Sequence, residues 1–271
     1  MVSKTHKHHV QGKIAPQYDV VVNANSNGDV CTINNPLPVV NVGSSNNIDL
    51  AAGLLTGHSH INKFGFNPAV GTGFEIVSDQ SVVAQPYPTT AVTISLISSA
   101  TTNDAGLNIS IQGLDANYAI QEETVTLSAG GSFTTTNTYL RVFRAIVNST
   151  NQGNITIQYN TDPTSIADVI PSDAGQTLMA VYTVPAGKTA YLIKFQGNVE
   201  KNTGTIFRLR CRPFGGQFSV KGQYGTFGSS VTYDYPVPLV MTEKSDIEIQ
   251  VKALGTTGAG AIFDLILVDN A

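Results

Sequence analysis

Tryptophan is absent, cysteine occurs twice, and charged side chains fill only 13% of the 271 positions. Two cysteines, Cys31 and Cys211, are too few for a disulfide framework. They fit free thiols in a chain made in a reducing cytosol. Soluble domains usually carry about 25% charged residues, so polar uncharged residues must do the solvating here. The net charge of -4 and the pI near 5.7 give no basic footprint for nucleic acid, and none is expected to bind directly. No apolar run approaches the ~18–20 residues that span a bilayer, so no membrane partner is expected. The opening MVSKTHKHHVQGK lacks the apolar core of a secretory signal. Nucleophile-elbow, phosphate-loop and His-Glu-x-x-His motifs are missing too. Glu122 and Glu123, as neighbours on a strand, point to opposite faces and cannot share acid/base work. The expectation is a protein that is not an enzyme and needs no cofactor.

What the chain has in quantity is serine (20), threonine (29) and asparagine (21), with 25 glycines and 12 prolines. That mixture suits strands and turns and is poor in helix formers. A hydrophobic fraction of 41% is enough for a real core. Residues 1–57 read as an extended arm, alternating short apolar pieces (Asp19-Val-Val-Val22, Pro38-Val-Val-Asn-Val42) with Asn/Gly/Ser clusters. Ile48–Leu55 fits one or two helical turns. From residue 58 the pattern is short strands. Val92-Thr-Ile-Ser-Leu-Ile97 and Leu107-Asn-Ile-Ser-Ile-Gln112 alternate cleanly. Asn160-Thr-Asp-Pro-Thr164 reads as a linker into a second strand set. Val184-Pro-Ala-Gly-Lys188 reads as a hairpin turn. Tyr235-Pro-Val-Pro-Leu239 cannot lie in a central strand, because proline donates nothing to a ladder. The predicted organisation is all-β: an arm over 1–57, then two tandem antiparallel β-sandwiches of jelly-roll type over 58–162 and 163–271.

Several phrases carry a resemblance. Gln112-Gly-Leu-Asp-Ala-Asn-Tyr118, Glu123-Thr-Val-Thr-Leu127, Thr134–Arg144 and Gly153-Asn-Ile-Thr-Ile157 resemble virion structural proteins of tailed bacteriophages, marine and cyanobacterial phages above all. Gly175–Leu192 and Phe263-Asp-Leu-Ile-Leu-Val-Asp269 are similar to the same group. The resemblance spans roughly residues 54–269 and holds no catalytic motif. It implies a particle component in the virion, synthesised in a bacterial cytoplasm. The partners it implies are further copies of the chain, as a homo-oligomer and most simply a trimer, and the major capsid protein or other virion proteins. A capsid decoration or head-fibre protein leads. A neck, tail accessory or fibre-attachment protein is the alternative, and a receptor- or carbohydrate-binding module is the third reading. The third would use Tyr224, Tyr233 and Tyr235 and the loop Gly215–Gly225.

The candidate site residues are few. His58 and His60 sit two apart, so on a strand they share a side. They look like the His-x-His pattern of some phage tail-fibre trimers, in which six imidazoles meet a metal on the axis. The plainer reading is two histidines opening a strand. His6, His8 and His9 cluster in the arm without fixed geometry. All five arginines fall in two places: Arg141 with Arg144, and Arg208, Arg210 and Arg212. In Phe207-Arg-Leu-Arg-Cys-Arg212 the three guanidiniums share a face and repel, so acidic partners are expected, either on another subunit or as weak pairs within the chain. Leu54, Leu55, Phe64 and Phe66 are expected to bury against the first sandwich, with Tyr139 and Phe143 at its core.

Overall fold

The computed structural model describes residues 46–79, 85–161 and 165–270. The arm, its histidines His6, His8 and His9, and Cys31 lie outside the described residues, apart from the arm's last stretch. There a six-residue helix, α1 (Asn46–Ala51), answers the helical expectation. Its backbone ladder ends with Ala52 N donating to Ile48 O at 2.8 Å. Gly53 follows at φ +70°, the left-handed conformation that commonly stops a helix.

Residues 53–270 form one compact unit, separate from that helix. Apart from α1, the regular structure of the described residues is antiparallel strand, as the alternation predicts. In chain order these are β1 (His58–Val70), β2 (Glu75–Ile76), β3 (Ile94–Ser98), β4 (Asn108–Leu114), β5 (Ile120–Thr126), β6 (Ser132–Thr134), β7 (Arg141–Val147) and β8 (Ile155–Tyr159). There follow β9 (Ile166–Ile170), β10 (Val181–Thr183), β11 (Lys188–Val199), β12 (Gly204–Arg212), β13 (Ser219–Phe227), β14 (Val231–Met241), β15 (Asp246–Ala253) and β16 (Thr257–Asp269).

The strands make four sheets. Two of them, β6-β3-β8-β9 and β5-β4-β7, share a buried cluster around Leu96, Ile111, Tyr139, Ile157 and Tyr159. The other two, β1-β16-β11-β14 and β10-β15-β12-β13, share a larger one around Leu192, Phe195, Phe207, Ile249 and Phe263. Strand β2 pairs with β15 in the latter.

Pairing departs from sequence order at both expected boundaries. Strand β1 does not begin the first set. It pairs along its length with the last strand, from His58 opposite Val268 to Val70 opposite Thr257. The chain therefore enters the second set, leaves to build β3–β9, and returns at β10. The expected break near residue 163 also falls within the first set. Strand β9 pairs with β8, and its Ala167 and Ile170 join that set's core.

The reason lies in what β1 buries. Its inward positions are Lys63, Gly65 and Asn67, while Phe64 and Phe66 are only half-buried. Apolar periodicity points to the opposite face. Gly65 lets the backbone of β1 touch its neighbours, with Phe66 N donating to Leu178 O at 3.1 Å. Leu54, expected in the core, is 70% exposed. Tyr139 is fully buried in the first cluster, as expected. Phe143 is buried too, but it packs with Tyr182 of the second cluster, ring centroids 5.0 Å apart.

The turn and edge signals of the sequence hold in the fold. Gly187 takes φ +71° in the Val184–Lys188 turn. Strand β14 lies at a sheet edge, and its two prolines fall in the gap between Asp234 and Leu239, where the register with β11 shifts.

A Cβ on residue 65 would lie 2.2 Å from Val77 O and 2.4 Å from Ala180 N, both backbone atoms. Gly65→Ala is therefore expected to cost about 1–3 kcal/mol, the usual range for overpacking. Chemical denaturation of the two proteins measures it, and an unchanged midpoint would contradict this packing.

Candidate functional site: an arginine ladder over buried acids

Strand β12 alternates Phe207, Leu209 and Cys211, all buried in the second cluster, with Arg208, Arg210 and Arg212 on the other face. Its neighbour β15 alternates in the same way. Ile247, Ile249 and Val251 face the core, while Asp246, Glu248 and Gln250 share the arginine face and are themselves buried. The register sets Arg212 opposite Asp246, Arg210 opposite Glu248 and Arg208 opposite Gln250. Directly opposed side chains on neighbouring strands are close enough to pair.

Each pair is made. Gln250 Oε1 accepts from Arg208 Nε at 2.8 Å and from Arg210 Nη1 at 3.0 Å. Arg210 Nε lies 3.4 Å from Glu248 Oε1, which also accepts from Gln250 Nε2 at 2.9 Å. Arg212 Nε donates to Asp246 Oδ2 at 2.9 Å. Asp246 is the meeting point, because its other oxygen accepts from Arg141 Nε at 2.8 Å and from Thr183 Oγ1 at 2.7 Å. Arg141 comes from β7 of the first set, so one buried carboxylate ties the two sets together. The acidic partners expected for these arginines are thus supplied by the same chain.

Aromatic rings lie against the guanidiniums. Arg208 stacks on Phe74 (3.7 Å to the ring centroid) and Arg210 on Phe218 (4.5 Å). Arg212 lies 4.3 Å from the Tyr87 centroid and 4.8 Å from that of Phe218. Arg141 is 5.0 Å from the Tyr87 ring and 5.7 Å from that of Tyr118. Such contacts contribute about 0.5–2 kcal/mol each, more when desolvated. Tyr87 also donates its hydroxyl to Glu248 Oε2 at 2.9 Å. Burial raises the Glu248 carboxyl, and burial with Glu248 and Asp246 beside it pushes the Tyr87 phenol well up. The arrangement offers no nucleophile poised beside a base. It is an ionic and aromatic lining that fixes the segments carrying Phe74, Tyr87 and Phe218 to a sheet.

The remaining sequence candidates are scattered. Arg144 lies apart from the ladder and donates to Asn62 O at 3.0 Å. His58 and His60 do share the exposed side of β1. His58 Nδ1 lies 3.0 Å from Thr56 O, and His60 Nε2 lies 3.3 Å from Asp264 Oδ1. No group of three or more metal-capable side chains occurs among the described residues. Tyr224, Tyr233 and Tyr235 pack on one another, with Tyr233 exposed and the other two half-buried. Tyr224 stacks on Phe195 at 4.5 Å, and its hydroxyl lies 2.6 Å from that of Tyr235. Sequence reasoning missed Asp246, Glu248 and Gln250. The available signal was Asp246-Ile-Glu-Ile-Gln250 itself, an alternating polar strand that mirrors the arginine strand.

A second buried pair lies at the join between the sets. Lys63 of β1 is 3% exposed and donates to Phe143 O. Burial and nearby Arg144 lower its ammonium to about 7, against some support from Asp168 of β9. Asp168 is fully buried and accepts from Ser78 Oγ, and its Oδ2 has no hydrogen-bond partner. Burial raises its carboxyl to about 7.

No family model matches this chain, and no curated protein sequence matches it. Among solved structures it is similar to infectious bursal disease virus, Gt strain, at 14% identity and TM-score 0.21, covering 80% of this chain and 73% of that one. It is similar to the PBSX exported protein XepA at 11% identity and TM-score 0.19, covering 76% and 86%. A two-domain protein of unknown function from Bacteroides fragilis gives 9% identity and TM-score 0.19, covering 81% and 99%. Similarity at this level falls short of a shared fold and says nothing about activity.

Asp246→Ala leaves Arg141 and Arg212 without their carboxylate, so a loss of about 3–5 kcal/mol is expected in chemical denaturation. Arg208→Ala removes one stack and a contact to a neutral amide and should cost only about 1 kcal/mol. Equal losses would contradict the central place of Asp246. A separate expectation concerns pH. The carboxyl of Asp168 is harder to ionise in the folded chain, so its contribution to stability is full below about pH 4 and fades as pH rises through about 7. Asp168→Asn should therefore gain on the parent by about 2 kcal/mol between pH 5 and pH 8. The full shift converts to more, but losing the Asp168 charge removes support from Lys63. A gap between variant and parent that stays constant with pH would contradict the raised carboxyl.

Proposed function

We propose that this protein is a non-enzymatic structural component of a tailed-phage particle. It self-associates, most simply as a trimer, and contacts the capsid or other virion proteins. A capsid decoration, cement or head-fibre role leads, and a neck, tail accessory or fibre-attachment role is the alternative. The fold is read as two antiparallel β-sandwich domains of jelly-roll type, with the arm as a clamp on neighbouring subunits. The phage-like phrases between residues 112 and 192 support the particle assignment.

The observation that carries self-association is the β13–β14 side of the molecule. Both strands are terminal in their sheets among the described residues. They lie together, joined through the Tyr224–Tyr235 hydroxyl contact. Exposed on them are Val220, Phe227, Tyr233, Val237 and Val240, with Val237 79% exposed. Exposed apolar groups gathered along a sheet edge mark a contact surface. Pro236 and Pro238 remove ladder donors from β14, so β14 meets its partner through side chains. Strand β13 holds the open main chain, where a strand from a neighbour can add. The apolar pieces Asp19–Val22 and Pro38–Val42 of a neighbouring arm are the proposed added strands. The low surface charge lets identical copies approach closely.

Light scattering on the purified chain is expected to give a multiple of the 28.6 kDa chain mass. Val237→Asp with Val240→Asp should shift it to monomer, and deletion of residues 1–45 should abolish attachment to particles. A parent chain that is monomeric and also fails to attach to particles would overturn the reading. Metal analysis of the same sample separates the two particle roles. About one iron per three chains, held by His58 and His60 across an axis, would favour the tail reading.

A further inference from the structure

A cavity of about 390 Å³ opens where the two sheet sets meet. Its walls come from β1 (His60 to Phe64), from Gln112 of β4, from Phe143 and Arg144 of β7, from Gln176, and from Tyr182 of β10. The volume is within the range of small-molecule sites, about 300–1,000 Å³, and the position between two packed bodies is common for them.

The lining is unbalanced in charge. Lys63, Arg144 and His60 contribute to it, and no carboxylate does. The nearby acids stand outside the lining, bonded to its polar members or buried behind it. Asp264 accepts from Asn62 Nδ2 at 2.7 Å and faces His60. Glu122 Oε2 accepts from Gln112 Nε2 at 3.3 Å. Asp168 is fully buried with its carboxyl raised. Lys63 is 3% exposed and spends one of its three donors on the Phe143 carbonyl. Arg144 and Lys63, whose proton burial and Arg144 hold back, therefore stand at one end of the cavity with no carboxylate in its wall. Burying like charges together is costly unless an anion joins them. His60, with 42% of its side chain exposed, sits at the outer end.

The rest of the wall is three amides, the ring and hydroxyl of Tyr182, and the apolar Ile61, Phe64 and Phe143. Gln112, Gln176 and Asn62 each offer a donor and an acceptor, the pattern that recognises hydroxyl groups. A bare oxyanion would satisfy the cations and leave the Gln176 amide and the amide oxygens of Gln112 and Asn62 unused. We infer that this cavity binds a polyhydroxylated carboxylate the size of one uronic-acid residue. Its carboxylate meets Arg144 and Lys63, and its hydroxyls meet Gln112, Gln176 and Asn62. This site is distinct from the β13–β14 surface and does not depend on the particle reading.

The test is an NMR and calorimetric titration of the full chain with D-glucuronate, D-glucose and inorganic phosphate. Glucuronate is expected to bind and to shift resonances of Arg144, Gln112 and Gln176, with glucose at least about tenfold weaker. Arg144→Gln, at a half-buried position, should weaken glucuronate about tenfold or more while leaving thermal unfolding unchanged. Lys63→Met tests the inner cation, and Arg144→Gln keeps the experiment decisive if that variant fails to fold. No glucuronate binding at tens of millimolar would overturn the site. Phosphate binding as tightly as glucuronate would overturn the sugar assignment. Binding of glucuronate that Arg144→Gln leaves untouched would place it elsewhere and overturn the proposal.

Discussion

The carboxylate of Asp246 is the contact on which the two halves of this molecule depend. It is 3% exposed and receives Arg212 from its own sheet and Arg141 from the other sheet set. A buried carboxylate is tolerated only when paired and hydrogen-bonded. Two guanidiniums and the Thr183 hydroxyl provide that. Because Arg141 reaches across from β7, relaxing this cluster loosens the join as well as a sheet face. Tyr87 and Phe218 then pack on the guanidiniums, so apolar segments cover what would otherwise be a charged surface.

This arrangement leaves an unusual division of labour. The interior faces of the sheets pack in the ordinary apolar way. The face carrying the arginines is built from ion pairs and rings. Buried ion pairs contribute modest net stability but make their own disruption costly, because breaking one strands the other charge. They specify which surfaces meet more strictly than apolar contact alone. Lys63 and Asp168, at the same join, sit in the opposite condition. Each is buried with its charge held back, which makes that region sensitive to protonation and open to an anion.

With the ladder arginines occupied internally, an exposed apolar surface lies on the β13–β14 side. Its apolar residues sit at the ends of both sheets. The prolines and register shift of β14 limit how far another sheet can extend it. In the proposed self-association, a chain poor in charge and rich in threonine and asparagine would meet its own copies with little repulsion.

The all-β character, the turns at Val184–Lys188, the edge position of the two-proline strand and the burial of Tyr139 were all legible in the sequence. Each depends on local rules: side-chain alternation, glycine at positive φ, proline without a donor. The shared face of Arg208, Arg210 and Arg212 was legible for the same reason. What they meet was not, because pairing between β12 and β15 is a matter of register between segments far apart in the chain. The placement of β1 beside β16 was hidden more deeply. Its inward residues are a lysine, a glycine and an asparagine, which hydrophobic patterning assigns to solvent. Sequence by itself determined that this chain is built of strands and which side chains share each strand face. Only the tertiary structure decided which strands neighbour one another. That choice is made by backbone approach at Gly65 and by the reach of Arg141 to Asp246, which no local pattern encodes.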